Sequence, residues 1–104
     1  MSDNNEHFWK YGEDKILKDL EEYLISTYRG HYTSNETGIQ TIDLMQAKNL
    51  ASGFCQANIL KYGSRYGDKD GRNKRDLLKV IHYAMLLLHF DGHDKPKPQN
   101  YNLA

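Results

Sequence analysis

The sequence predicts an all-α protein: a small four-helix domain with a C-terminal helical hairpin, assembled as a homo-oligomer. Apolar residues recur at helical spacing in residues 13–28 and again in residues 53–90, and segments rich in Gly, Asn and Asp interrupt these runs. A chain of 104 residues has room for one domain. The last helix is apolar on nearly every side, which indicates burial against partner helices and against a second copy.

The first predicted helix covers residues 13–28. Its apolar side chains share one stripe: Ile16, Leu17, Leu20, Tyr23, Leu24 and Thr27. Residues 1–10 precede it as an N-terminal arm, and residues 93–104 form a flexible C-terminal tail that contains proline. The single all-α domain is therefore predicted to span residues 11–92.

Capping residues predict where the other helices begin. The proposed N-caps are Thr41 before residues 42–48, Ser52 before residues 53–66, and Asn73 before residues 74–90. Asn49 in a left-handed conformation would end the second helix, and Gly92 would end the fourth. The glycine-rich segment between the third and fourth helices predicts the turn of the hairpin.

The charge balance and the number of cysteines limit which partners and which cellular compartment the sequence fits. The chain has 14 basic and 14 acidic residues, a net charge of zero, which argues against nucleic acid as a partner. Residues 1–30 carry seven acidic and four basic residues, whereas residues 58–82 carry seven basic and three acidic ones. This asymmetry fits two solvated faces, a local anion site or complementary subunit surfaces. The lone cysteine, Cys55, suits a reducing cytoplasm, and the longest apolar run, residues 84–88, is too short to span a membrane.

A cationic and aromatic set lies on the predicted hairpin. Three residues share a line on each of its helices: Asn58, Lys61 and Arg65 on the third, and Asp76, Lys79 and Tyr83 on the fourth. In an antiparallel hairpin the two lines converge, where Lys and Arg suit a phosphate and tyrosine suits stacking on a base. The alternative is purely structural, with an Arg65–Asp76 salt bridge across the hairpin and lysines that point into solvent.

The sequence lacks the common motifs of metal and phosphate chemistry. It contains no Gly-rich phosphate loop, no Cys/His metal spacing and no Gly-x-Ser-x-Gly nucleophile turn. It also shows no inward cluster of carboxylates able to hold Mg²⁺ between phosphates. We therefore predict no metal site and name no catalytic residue.

Several short blocks occur in a distinctive order: HY (31–32), GIQTIDLM (38–45), GFCQANILKYGSRYGDKDG (53–71) and RDLLKVIHYAMLL (75–87). In order and spacing they resemble a small phage-borne family, domain of unknown function 3310, over residues 31–88. The matched positions are Gly38, Thr41, Ile42, Asp43, Asn58, Lys61, Tyr62, Arg65, Gly67, Lys69, Asp76, Leu77, Lys79 and Tyr83. The resemblance implies phage origin, the cytoplasm of an infected bacterial host and a link to nucleotide metabolism, since some members are described as nucleotide kinases.

Residue pattern and resemblance together predict a protein that binds a nucleotide or another phosphorylated ligand on the hairpin of residues 53–90. His31, with the three cations, would hold phosphates, and Asn58 and Tyr83 would orient a base or sugar. The predicted ligand-binding set is His31, Asn58, Lys61, Arg65, Asp76, Lys79 and Tyr83.

Three other functions stay open on the sequence. The chain could be a nucleotide kinase or phosphohydrolase, with Mg²⁺ as cofactor on the matched carboxylates Asp43 and Asp76. It could sequester a nucleotide signal of host defence without chemistry. It could also be a protein–protein interaction module whose apolar fourth helix docks on a partner.

Overall fold

The computed structural model describes residues 8–29 and 37–96. These ranges contain no strand and four helices, namely α1 (Glu13–Thr27), α2 (Thr37–Ala47), α3 (Ala51–Arg65) and α4 (Lys74–Phe90). The all-α prediction is therefore confirmed for the described part of the chain. The predicted bounds of the arm, the domain and the tail stay predictions.

Contacts within the chain divide it into two compact units, and the boundary between Thr41 and Ile42 lies inside α2. The first unit contains α1, and the second contains α3 and α4. Six of the seven predicted site residues lie on α3 and α4. The seventh, His31, lies outside the described residues.

The first unit is built on α1, which begins after Gly12. This glycine has a φ of 74°, a left-handed value that residues with a side chain adopt less readily. On the predicted apolar stripe Leu20 is buried, whereas Ile16 and Leu17 are exposed. The helix is thus amphipathic as predicted, but its stripe is only partly covered.

α2 begins earlier than predicted. It starts at Thr37, so Thr41 lies inside the helix and is not its N-cap. The predicted start was too late because it treated Gly38 as part of a connector, whereas a glycine inside a helix costs only about 1 kcal/mol relative to alanine. At the other end Asn49 has a φ of 60°, which confirms the predicted left-handed residue after the helix.

α3 also begins earlier than predicted. Its N-cap residue is Leu50, which makes no side-chain capping hydrogen bond, and Ser52 lies in the first turn. The prediction of a Ser52 cap is therefore wrong. The hydroxyl of Ser52 instead donates a hydrogen bond to the carboxylate of Asp91, just beyond the end of α4. A long-range partner has replaced the local one that the sequence suggested.

Two polar contacts define the relative direction of α3 and α4. Ser52 and Asp91 join the start of α3 to the end of α4. Arg65 and Asp76 join the end of α3 to the first turn of α4, with 3.2 Å between Nε and Oδ1. Because each link connects opposite ends, the two helices pack against each other in antiparallel directions.

The small core of this pair includes Ala51 and Cys55, each 1% exposed. Burial raises the pKa of the Cys55 thiol, and the nearby Asp91 carboxylate raises it further. A buried, protonated thiol is a small apolar side chain and a poor nucleophile. Cys55 therefore contributes packing to this pair.

α4 has a well-defined cap at each end. The side-chain oxygen of Asn73 accepts hydrogen bonds from the backbone N–H groups of Arg75 at 2.8 Å and Asp76 at 3.3 Å. This confirms the predicted N-cap. At the other end Gly92 has a φ of 83°, and its N–H donates to the carbonyl of His89 at 3.0 Å. Gly92 ends the helix as predicted.

We predict that Asn73→Ala lowers the free energy of unfolding by about 1 kcal/mol, because two backbone N–H groups lose their acceptor. Urea unfolding followed by circular dichroism would measure the difference. Asn73→Asp is the matched control, since it keeps a side-chain oxygen at the cap and should keep the wild-type midpoint. Equal midpoints for wild type and Asn73→Ala would show that the cap contributes no stability.

Candidate functional site

The aromatic ring of Tyr62 on α3 is surrounded by cationic side chains. The Lys61 Nζ and Arg65 Cζ atoms each lie 5.0 Å from the ring centroid, and the Lys79 Nζ atom of α4 lies 5.4 Å from it. All three distances are within the range of cation–π attraction. We call these four residues, together with Tyr83, the Tyr62 cluster.

Tyr83 extends the aromatic surface of this cluster. Its ring is nearly parallel to that of Tyr62, with 6.1 Å between centroids and 9° between planes. Phe54 lies two turns before Tyr62 on α3. Its ring is edge-to-face with that of Tyr83, with 5.9 Å between the centroids. Phe54 and Tyr62 on α3 therefore orient the Tyr83 ring of α4. The nearly parallel pair and the edge-to-face pair are both arrangements that aromatic rings prefer.

Asp76 holds one of the three cations in place. The Nε–H group of Arg65 donates to Asp76 Oδ1 at 3.2 Å. The aspartate side chain is 3% exposed and that of arginine is 30% exposed, so the pair has a buried and a solvent-facing member. The second carboxylate oxygen, Oδ2, is buried and has no hydrogen-bond partner. A guanidinium has four more N–H donors on its terminal nitrogens, so this bond to Nε still allows Arg65 to bind an anion.

The structure brings together Lys61, Arg65, Asp76, Lys79 and Tyr83, five of the predicted ligand-binding residues. Asn58 has a different environment. Its side-chain Nδ2 donates to the carbonyl oxygen of Phe54 on the same helix, at 2.8 Å. One of its two side-chain N–H groups is therefore engaged with the backbone of its own helix.

Two residues outside the predicted set lie in the cluster or beside it. Tyr62 is the ring that all three cations share, although its place in the apolar pattern favoured a core role. Its spacing from Arg65, three residues along one helix, was the available signal. His82 is buried on α4, and burial together with the positive charge of Lys79 lowers its pKa. His82 therefore stays neutral at pH 7 beside the cationic cluster.

Metal and membrane signatures are absent from residues 8–29 and 37–96. No three His, Cys, Asp or Glu side chains in these ranges are grouped so as to hold a metal ion. None of the described helices is long and apolar enough to cross a membrane.

The fold and the site define a small helical protein with a cationic, aromatic surface on an antiparallel helix pair. The family model described as a protein of unknown function (DUF3310) matches residues 26–85, more than half of the chain. The chain belongs to this family. The match includes α2, α3 and most of α4 and confirms the resemblance found in the sequence. No curated protein and no solved structure matches the chain.

We predict that the folded state loses stability as the pH falls through 6.5, because His82 has a lower pKa when folded than the ordinary value of 6.5. Below that value the unfolded chain binds more protons than the folded chain, which favours unfolding. Thermal midpoints recorded from pH 7.5 to 5.5 would show the decline.

His82→Leu should flatten this pH dependence because it removes the buried imidazole. His93→Gln is the matched control, because it removes an exposed histidine outside α4 and should keep the wild-type slope. The same slope in wild type and His82→Leu would refute the assignment to His82.

Proposed function

We propose that this chain binds a nucleotide or another phosphorylated small molecule at the Tyr62 cluster, on the helical hairpin formed by α3 and α4. One observation carries the proposal: three cationic side chains lie within 5.4 Å of one tyrosine ring centroid, and a buried carboxylate orients one of them. The cluster thus presents both charge and an aromatic surface.

The charge balance of the cluster favours an anion. Lys61, Arg65 and Lys79 supply three positive charges, and Asp76 supplies one negative charge through its ion pair with Arg65. Among the described residues, no carboxylate lies within ion-pair distance of Lys61 or Lys79. Like charges held close together repel one another, and a bound anion would relieve that repulsion.

Geometry favours a phosphate that is attached to a planar group. Arg65 offers a planar fork of donors and the lysines offer point charges, two modes that suit phosphate oxygens. The Tyr62 and Tyr83 rings lie beside these donors and have faces suited to a base or the apolar side of a sugar. A nucleotide carries both kinds of group in one molecule.

Ligand-induced stabilisation is the direct test. We predict that at least one member of a panel of inorganic phosphate, linear nucleotides and cyclic nucleotides raises the thermal midpoint. At a ligand concentration tenfold above the dissociation constant, the added stability is about 1.4 kcal/mol, or roughly 6–11 °C for a domain of this size. Differential scanning fluorimetry across the panel would measure it.

The double variant Lys61→Gln/Lys79→Gln should lose most of this shift, because it removes two of the three cations and leaves the Arg65–Asp76 pair intact. Arg65→Ala is a less clean variant, since it would leave the buried carboxylate of Asp76 without its cation. Lys48→Gln is the matched control: it removes an exposed positive charge outside the cluster and should leave the shift unchanged. No shift with any compound, or an equal shift in the double variant, would reject the proposal.

The identified ligand then separates binding from chemistry. Turnover on incubation with ATP and Mg²⁺ would make the chain a nucleotide kinase or phosphohydrolase, in line with the phage nucleotide metabolism implied by the resemblance. Recovery of the ligand intact from denatured protein would instead support sequestration of a nucleotide signal.

A role as a protein–protein interaction module has a separate observation in its favour. Leu77, Met85 and Leu88 on α4 are exposed leucine and methionine side chains. They lie on a different side of α4 from Lys79 and Tyr83, so this role and ligand binding use different surfaces.

A further inference from the structure

α4 carries an apolar stripe that faces away from the Tyr62 cluster. Its members are Leu77, Ile81, Met85 and Leu88, spaced by four, four and three residues, which places them on one side of the helix. Leu77 is 41% exposed, Met85 is 42% exposed and Leu88 is 52% exposed. We call this set the α4 outer stripe. Burial of such side chains against a partner is favourable because it removes apolar area from water.

We infer that the α4 outer stripe is the interface between two copies of this chain, and that the two α4 helices pair in antiparallel directions about a two-fold axis. A self-complementary surface is what an isologous dimer requires. The stripe meets this requirement because its spacing reads almost the same from either end, with Leu77 three residues after Lys74 and Leu88 three residues before Asp91.

Charge at the two ends of α4 selects this direction. The helix begins with exposed Lys74 and Arg75 and is followed by exposed Asp91 and Asp94. When Leu77 of one copy is paired with Leu88 of the second copy, the equal spacing places Lys74 beside Asp91 of that second copy. A parallel pair would instead bring lysine to lysine and aspartate to aspartate, which is repulsive. Antiparallel packing also aligns the two helix dipoles favourably.

The Asp91 carboxylate can pair with Lys74 of the second copy and still keep its hydrogen bond to Ser52. It accepts a hydrogen bond from Ser52, and a carboxylate has about four acceptor positions on its two oxygens. The stripe has four large side chains per copy, fewer than the roughly 20–30 residues per side of a standard stable interface. We therefore expect a weak dimer that forms in a concentration-dependent manner.

Sedimentation velocity over a micromolar concentration series should show a monomer–dimer equilibrium for wild type. Met85→Glu should weaken dimerisation by about a hundredfold or more, because each copy would bury a charged side chain near the centre of the dimer interface. Leu60→Glu is the matched control: Leu60 is 68% exposed on α3, and this variant should dimerise as wild type does. Circular dichroism melts would confirm that both variants fold.

A charge exchange tests the antiparallel direction. Lys74→Glu and Asp91→Lys should each weaken dimerisation by roughly tenfold, because each turns two attractive contacts into repulsive ones. An equal mixture of the two variants should restore wild-type affinity, since every contact in the mixed dimer is again between opposite charges. Both substitutions suit the α4 dipole, and Ser52→Ala controls for loss of the hydrogen bond to Asp91 without a change of charge.

Three results would overturn the inference. Wild type could sediment as one species of monomer mass at every concentration. Leu60→Glu could weaken association as much as Met85→Glu, which would place the interface elsewhere. The mixture could also associate no better than either charge variant alone, which would exclude antiparallel pairing of α4.

Discussion

The contact between Arg65 and Asp76 is the constraint on which the second unit depends. It lies beside the turn between α3 and α4 and joins the last residue of one helix to the first turn of the next. Because Arg65 is 30% exposed, solvent screens the pair, and its net contribution to stability is on the order of 1 kcal/mol or less. Its larger effect is geometric, since a buried carboxylate accepts from one particular donor and so fixes the position of the arginine.

The same contact connects the fold to the candidate site. Asp76 binds Nε of Arg65, and the guanidinium carbon then lies 5.0 Å from the centroid of Tyr62. Tyr62 in turn lies close to Lys61 and Lys79, so its negative ring face offsets part of the repulsion among three cations. Asp76 and Tyr62 therefore stabilise the close approach of these cations. An anion bound at this cluster, as we propose, would therefore require little reorganisation of the site.

Much of this arrangement could be predicted from the sequence, because local chemistry determines it. Asn73 and Asn49 act as predicted because capping and left-handed turns depend on the residue itself and its nearest neighbours. The proximity of Arg65 and Asp76 follows from the short connection between α3 and α4, since both residues lie beside it.

Side-chain partners across the two helices could not be predicted in the same way. Ser52 was expected to cap α3, but packing brings Asp91 within its reach, and nothing local encodes that partner. Tyr62 has the periodicity of a core residue, and its position among three cations depends on the direction of each side chain across the helix pair.

The two proposals for α4, a ligand site and a dimer interface, place their partners on different sides of the helix. At 100° per residue, the side that carries Asp76, Lys79 and Tyr83 is roughly 160° from the α4 outer stripe. A ligand at the Tyr62 cluster and a second copy on the stripe would thus contact opposite sides of the helix. Because Met85 and Leu88 do not line the cluster, we expect a change there to weaken the proposed association and to leave the cations in place. Binding and association should therefore respond to separate substitutions, and any coupling between them would have to pass through a shift of α4 itself.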